Sequence, residues 1–266
     1  MKPAILFAGF SVPTHELFVF LGAVAAAIVF MSETRRRGLA DERLLWIVAG
    51  TLICGAVGAK LATVWRYVAV SGDTSLQGML IRGGRSILGG LAGAYVGAHL
   101  TKRLVEYPRK TGDLFAPAVA LGMAIGRIGC FLSEQVGTPT TMPWGLRLSD
   151  ATLARIPNCP YCVPGVALHP SFLYEIVFHL VMFVLLLGYF RPRVVVEGDL
   201  FKIYLLAYAI FRFFVEFVRG NVVMWHGLSG SQLFLIPSTI LLVGYFLRRG
   251  RSSGANEPLR IGETPA

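Results

Sequence analysis

Charge is what this chain has least of. Lys and Arg number 25 and Asp and Glu 15 in 266 residues, so 15% of positions are charged. A soluble domain carries roughly a quarter. With 55% hydrophobic residues and a mean hydropathy of +0.62, this scarcity excludes an ordinary soluble enzyme and implies a polytopic membrane protein. Internal repeats of useful period are missing, which argues against the repeat-built transporter folds. No nucleic-acid-binding motif accompanies the net charge of +10, so the basic balance needs an origin other than DNA or RNA. The four cysteines and five histidines supply no complete metal-ligand set, because a zinc site at Cys159, Cys162 and His169 lacks a fourth ligand. Neither a metal nor a cofactor is expected.

What is present is a series of apolar runs, near 16–32, 44–70, 86–101, 113–132, 171–190, 199–218 and 231–247. Several approach the roughly 20 residues that cross a bilayer as a helix. Arg35, Arg36, Arg37 and Arg43 follow the first run, and Lys102, Arg103, Arg109 and Lys110 the third. Arg191 and Arg193 follow the fifth, and Arg248, Arg249 and Arg251 the seventh. Every odd-numbered run thus ends in a basic cluster, which places the N-terminus outside and the C-terminus in the cytoplasm. The expected fold is an all-α polytopic membrane protein of about seven transmembrane helices, one helical domain over residues 1–250. The first run is too long, and too basic behind, for a cleaved signal peptide. Residues 133–168, rich in proline, read as a small extracytoplasmic cap between spans four and five, and 251–266 as a disordered cytoplasmic tail.

Some cations defy this topology. Lys60, Arg66, Arg82, Arg85, Arg127, Arg212 and Arg219 fall within or beside apolar runs on the outer half. A cluster of that sign facing outward points to an anionic ligand, and phospholipid phosphate is the nearest anion. Tyr204, Tyr208, Arg212 and Glu216 recur every four residues and share one helical face, extended by Arg219. A charge at bilayer depth costs about 2.5–3.5 kcal/mol on insertion scales, so such a stripe marks either a functional site or an interhelical ion pair. Ser171, Glu175 and His179 share a face of the fifth span, beside Tyr174 and behind His169-Pro170; the cheapest state for Glu175 is a pairing with an Arg of another span.

Small residues at four-residue spacing mark close helix packing: Gly50, Cys54 and Gly58; Gly89, Gly93 and Gly97; Gly122 and Gly126. The paired glycines at Gly83-Gly84-Arg85 suggest a broken backbone whose amides could face an anion. Cys159-Pro160-Tyr161-Cys162 looks like a glutaredoxin motif but lacks the strand–helix context of that chemistry. On an oxidising face a local disulfide is the better reading.

Taken together, Gly126-Arg127-Ile128-Gly129-x-Phe131, Glu134, Gly137, His169-Pro170-Ser171-x-x-Tyr174-Glu175, Tyr208-x-x-x-Arg212-x-x-x-Glu216-x-x-Arg219, Gln232 and Pro237 resemble the prolipoprotein diacylglyceryl transferase family. The resemblance runs from about residue 16 to 249. It implies a bacterial inner-membrane enzyme with its cavity toward the outer half of the bilayer. The implied reaction transfers an sn-1,2-diacylglyceryl group from phosphatidylglycerol to the lipobox cysteine of a prolipoprotein, releasing glycerol phosphate. Partners are then phosphatidylglycerol, the lipobox segment and the bilayer. Arg127 and Arg212 are assigned to phosphate binding and leaving-group stabilisation, Arg219 and Lys60 to second contacts, and Glu216 to orienting the arginines. Tyr208, His169, Tyr174 and Glu175 complete the substrate site, and Glu134 is the first choice of thiol base, with His15 and His169 as alternatives. The chain departs from the family pattern at Leu88, where a histidine is usual, at Cys130 for an asparagine, at Lys60 for an arginine and at His15 for a tyrosine. Two other readings stay open: a family paralogue that transfers another group or none, and a transporter or lipid-binding scaffold.

Overall fold

Each apolar run forms a helix in the computed structural model, which describes residues 4–7, 10–39, 41–81, 86–133, 137–153, 161–194, 196–221 and 223–255. A hairpin of β1 (Ala4–Phe7) and β2 (Phe10–Pro13) precedes α1 (Thr14–Arg36). There follow α2 (Arg43–Ser71), the short α3 (Leu76–Ile81), α4 (Ile87–Leu104) and α5 (Gly112–Ser133). Next come β3 (Leu146–Arg147), α6 (Asp150–Leu153), β4 (Ala167–Leu168) and α7 (Ser171–Leu185), which runs through a π turn into α8 (Arg191–Arg193). The chain continues with α9 (Asp199–Val215), a 3-10 turn at Glu216–Val218, the pair β5 (Val223–Trp225) and β6 (Leu228–Ser229), and α10 (Gly230–Ala255). The three short strand pairs are additions to the all-α expectation; they are local clasps of two to four residues a side.

Among the described residues, five helices are long and apolar enough to cross a membrane: Thr14–Arg36, Arg43–Ala69, Gly112–Ser133, Ser171–Arg193 and Gly230–Arg249. The other two, α4 with 18 residues and α9 with 17, are shorter than the usual span. Helix α10 continues to Ala255, five residues into the segment whose composition reads as a tail.

The chain divides into two compact units, residues 1–30 with 111–266, and residues 31–110. In the second unit α2 and α4 lie against each other through small residues. A Cβ on Gly93 would strike the Cys54 carbonyl and approach Gly58 Cα to 3.0 Å, so only glycine permits this backbone approach. Ser86 caps α4 by accepting from Gly89 N at 3.1 Å. The broken backbone anticipated at Gly83–Arg85 lies outside the described residues.

In the first unit the core is built on alanines of α5. Ala116 and Ala120 are fully buried with Met182 and Leu186 from α7 and its π turn, and Leu200 and Tyr204 from α9. Small side chains on α5 let the bulkier faces of α7 and α9 close over it. Asp113 fixes one end by accepting from Gly198 N at 2.9 Å and Leu200 N at 3.0 Å, the orphan donors at the start of α9. Asp199 accepts from Lys202 Nζ at 2.9 Å and Tyr245 OH at 2.7 Å and pairs with Arg249, which ties α10 to the same end.

The segment between α5 and α7 is ordered where it is described. Gly137 N donates to His169 O at 2.8 Å, Thr138 N to Val218 O at 2.9 Å and His169 N to Thr138 O at 2.9 Å. A Cβ on Gly137 would collide with Val218 O, which is why glycine stands where these chains cross. The segment is thus stitched to the start of α7 and the end of α9, beside the charged stripe.

Candidate functional site

Helix α5 delivers Arg127 to the interior of the first unit, 4% exposed, because its neighbours Ala124, Gly129 and Cys130 are small enough to bury with it. Gly126 faces open space, whereas Gly129 packs on α1, its Cβ position lying 2.8 Å from Phe18 Cβ. Helix α7 presents Ser171, Glu175 and His179 one turn apart, all fully buried. Helix α9 presents Tyr204, Tyr208 and Arg212, with Glu216 and Arg219 in the turn that ends it.

Glu175 joins these elements. Its Oε2 lies 2.7 Å from Arg127 Nε and its Oε1 accepts from Arg219 Nη1 at 2.7 Å. Both guanidinium groups lie over the Phe172 ring, at 6.0 Å and 4.7 Å from its centroid. Tyr208 interacts with Arg127 from α9, and Arg127 Nη1 reaches Cys130 Sγ at 3.9 Å. His15 Nδ1 stands 3.7 Å from that sulfur. Arg127 Nη2 is buried without a hydrogen-bond partner among the described residues.

A second carboxylate serves the other arginine. Glu216 pairs with Arg212 one turn earlier through Oε2, while its Oε1 accepts from Ser229 Oγ at 2.6 Å and Asn221 Nδ2 at 2.7 Å. Glu216, expected from the resemblance to orient the arginines, thus meets one of them. Among the described residues its arginine partner is Arg212, and Glu175 is the carboxylate shared by Arg127 and Arg219. The reason is geometric: Glu216 sits where α9 tightens into a 3-10 turn, within reach of Arg212 one turn earlier, while Glu175 projects from α7 between α5 and the end of α9.

His169 and Tyr174 form a separate polar group at the start of α7. Tyr174 OH lies 3.0 Å from His169 Nδ1 and accepts from Trp144 Nε1 at 2.8 Å. Burial lowers the His169 pKa below its ordinary value, because desolvation disfavours the charged ring. A wholly apolar groove of about 470 Å³ runs below it, lined by Trp144, Leu173, Tyr174, Val177, Phe178, Val181 and Phe211 among others. Phe178, which lines the groove, stacks on Phe211 at 4.1 Å and meets at 6.0 Å the ring of Tyr208, the residue that interacts with Arg127.

Of the residues anticipated from sequence, Arg127, Arg212, Arg219, Glu175, Glu216 and Tyr208 fall within the first unit, as do His169 and Tyr174 in their adjoining group. Lys60 lies on α2 of the second unit, half-buried. Glu134, Arg82 and Arg85 fall outside the described residues, as does Cys159. Cys162 is disulfide-bonded, while Cys54 and Cys130 take part in no disulfide. Sequence reasoning misses Ser229 and Asn221 as supports of Glu216, and the buried pair of Tyr204 OH and His179 Nδ1 at 3.0 Å. The four-residue spacing of Ser171, Glu175 and His179 was the signal for the last.

The prolipoprotein diacylglyceryl transferase family model matches residues 3–248. A phosphatidylglycerol–prolipoprotein diacylglyceryl transferase of Finegoldia magna is 29% identical over 246 residues, covering 90% of this chain and 91% of that protein. A protein of the same name from Mycobacteroides abscessus is 30% identical over 269 residues, covering 95% and 77%. One from Mycobacterium leprae is 31% identical over 246 residues, covering 86% and 73%. With the charged stripe, the apolar helices and a match over nearly its whole length, the chain belongs to the prolipoprotein diacylglyceryl transferase family.

Proposed function

We propose that this protein transfers an sn-1,2-diacylglyceryl group from phosphatidylglycerol to the lipobox cysteine of prolipoproteins, releasing glycerol phosphate. The observation that carries the chemistry is the buried guanidinium of Arg127. It is held by one edge on Glu175, and its Nη2 has no hydrogen-bond partner among the described residues. A buried donor of that kind is complementary to a phosphate oxygen. The thiolate forms a C–S bond to the glyceryl carbon as the C–O bond to phosphate breaks, and negative charge grows on the departing glycerol phosphate. Arg127 and Arg212 bind the phosphate and stabilise that charge from fixed positions in a water-poor setting, where preorganised donors act most strongly. Arg219 supports Arg127 through their shared carboxylate, and Tyr208 flanks it. One acyl chain of the donor lies along the apolar groove of α7.

The thiol, with a free pKa of about 8.5, needs a proton acceptor. Glu134, close behind Arg127 in sequence, takes that role; His15 and His169 are the alternatives the test separates. His169 fits the acceptor role, since burial lowers its ring pKa and so favours the neutral form. Glu134→Gln then cuts turnover with little change in phosphatidylglycerol binding. Full activity in Glu134→Gln, with loss in His15→Ala or His169→Ala, moves the role to that histidine.

Seven spans, with the N-terminus outside and the C-terminus in the cytoplasm, follow from counting α4 and α9 with the five longer helices. The basic clusters behind the odd-numbered spans support that orientation. The arginines then lie in the outer half of the bacterial inner membrane, under an extracytoplasmic cap formed by the segment before α7. The test is incubation of purified protein with phosphatidylglycerol and a lipobox peptide, following peptide mass. A gain of one diacylglyceryl group is expected; an unchanged peptide would contradict the proposal and favour a lipid-binding paralogue.

A further inference from the structure

The connector from α9 to α10 looks like a simple return of the chain, yet its side chains converge on one carboxylate. Ser229 Oγ donates to Glu216 Oε1 at 2.6 Å and Asn221 Nδ2 donates to the same oxygen at 2.7 Å. Glu216 Oε2 remains for Arg212. Gln232, at the start of α10, locks this arrangement from behind. Its Oε1 accepts from Ser229 N at 2.9 Å, and its Nε2 donates to Phe213 O at 3.1 Å. That carbonyl lies in the last turn of α9, where the helix tightens into its 3-10 end and leaves main-chain acceptors to be satisfied by other groups. Ser229, Gln232 and Glu216 are all at most 5% exposed. A buried carboxylate whose two oxygens are assigned to different partners cannot rotate without breaking bonds to both.

We propose that Ser229 is a positioning residue for the transfer reaction: with Asn221, it occupies one oxygen of Glu216 so that the other fixes Arg212 in the orientation that meets the phosphate. The inference rests on the transferase reading. Among the described residues, Glu216 is the carboxylate that pairs with Arg212, so whatever aims Glu216 aims the guanidinium. Ser229 is the dominant support because it is buried and its backbone is clamped by Gln232. Asn221 is exposed and exchanges with solvent more readily. Loss of the Ser229 hydroxyl frees Oε1 to compete for Arg212 or to recruit water, and the guanidinium loses its fixed direction.

The test compares Ser229→Val, Ser229→Thr and Ser229→Ala in the full-length protein, with phosphatidylglycerol and a lipobox peptide. Peptide mass reports turnover and thermal unfolding in detergent reports folding. Thr retains the hydroxyl and Val has nearly its shape without it. The expected result is a loss of roughly tenfold or more in Ser229→Val, with Ser229→Thr close to wild type and the two unfolding at similar temperatures. A double-mutant cycle adds the decisive arm: in a Glu216→Gln background, Ser229→Val should cause little further loss, since its effect travels through that carboxylate. Equal activity of wild type and Ser229→Val, or full additivity of the two substitutions, overturns the positioning role alone. A wild-type protein that leaves the peptide unmodified overturns the transferase reading and this inference with it.

Discussion

Glu175 and Glu216 both face arginines inside the first unit, yet they are held in different ways. Glu175 is shared between two guanidinium groups, Arg127 from α5 and Arg219 beyond α9. Glu216 meets one, Arg212, and gives its other oxygen to the neutral donors Ser229 and Asn221. The first arrangement ties three elements together through charge. The second lies within the end of one helix and the connector that follows, and it serves direction more than cohesion. Removing Glu175 takes the shared carboxylate from buried Arg127 and half-buried Arg219, whereas removing the charge of Glu216 affects Arg212. The difference separates what holds the first unit closed from what aims an arginine.

The largest effect should come from the arginines themselves. Arg127→Ala and Arg212→Ala are each expected to lower transfer by roughly 100-fold or more while membrane insertion is retained. Lys at either position should restore little, since it lacks the planar fork. Near-normal rates at subsaturating lipid would remove the residue from the site. The carboxylates test that distinction directly. Glu175→Gln should cost stability on the scale of about 3–5 kcal/mol, as loss of one partner in a buried ionic group does. Glu216→Gln should cost clearly less stability, because Ser229 and Asn221 can still donate to an amide oxygen, while depressing turnover. Thermal unfolding of the two variants side by side decides; equal destabilisation would show that the two carboxylates are equivalent.

Smaller effects are expected away from the charged cluster. Gly93→Val places a side chain against Cys54 and Gly58 between α2 and α4, and overpacking of that kind costs about 1–3 kcal/mol. A lowered unfolding temperature measures it, and an unchanged one would mean that the helices of the second unit part readily. The smallest effect concerns the disulfide. With Cys162 bonded and the expected bond to Cys159 closing only a short loop, a Cys159→Ser/Cys162→Ser variant should keep its activity. Labelling of both cysteines in unreduced cells would contradict the bond, and an inactive double variant would contradict its spectator role.

The helices were the most legible part of the sequence, because apolar length is a direct consequence of the solvent they occupy. The runs near 113–132 and 171–190 correspond to α5 at Gly112–Ser133 and to α7 with its continuation to Arg193, within a few residues at each end. The face shared by Tyr204, Tyr208, Arg212 and Glu216 was equally open to reading, since helical spacing fixes it. What the sequence does not disclose is which carboxylate meets which arginine. Glu175 and Arg127 are 48 positions apart, and their pairing depends on how α5 and α7 pack over the alanines. Ser229 and Asn221 stayed hidden for a related reason. They reach Glu216 only because a hairpin folds the chain back on the end of α9, and nothing in a short polar stretch announces that return. The hairpin at Ala4–Pro13 was missed because its strands are short and precede an apolar helix that dominates the pattern.

The most direct measurement of the central claim, that buried arginines drive departure of the phosphate, is phosphorus NMR of phosphatidylglycerol supplied with a lipobox peptide. With wild-type protein, the phosphodiester signal should convert to a phosphomonoester in step with the peptide's gain of one diacylglyceryl group. With Arg127→Ala or Arg212→Ala, both changes should be lost together in protein that remains folded. Conversion that proceeds at wild-type rate in either variant, or peptide modification without a matching phosphomonoester, would contradict the account.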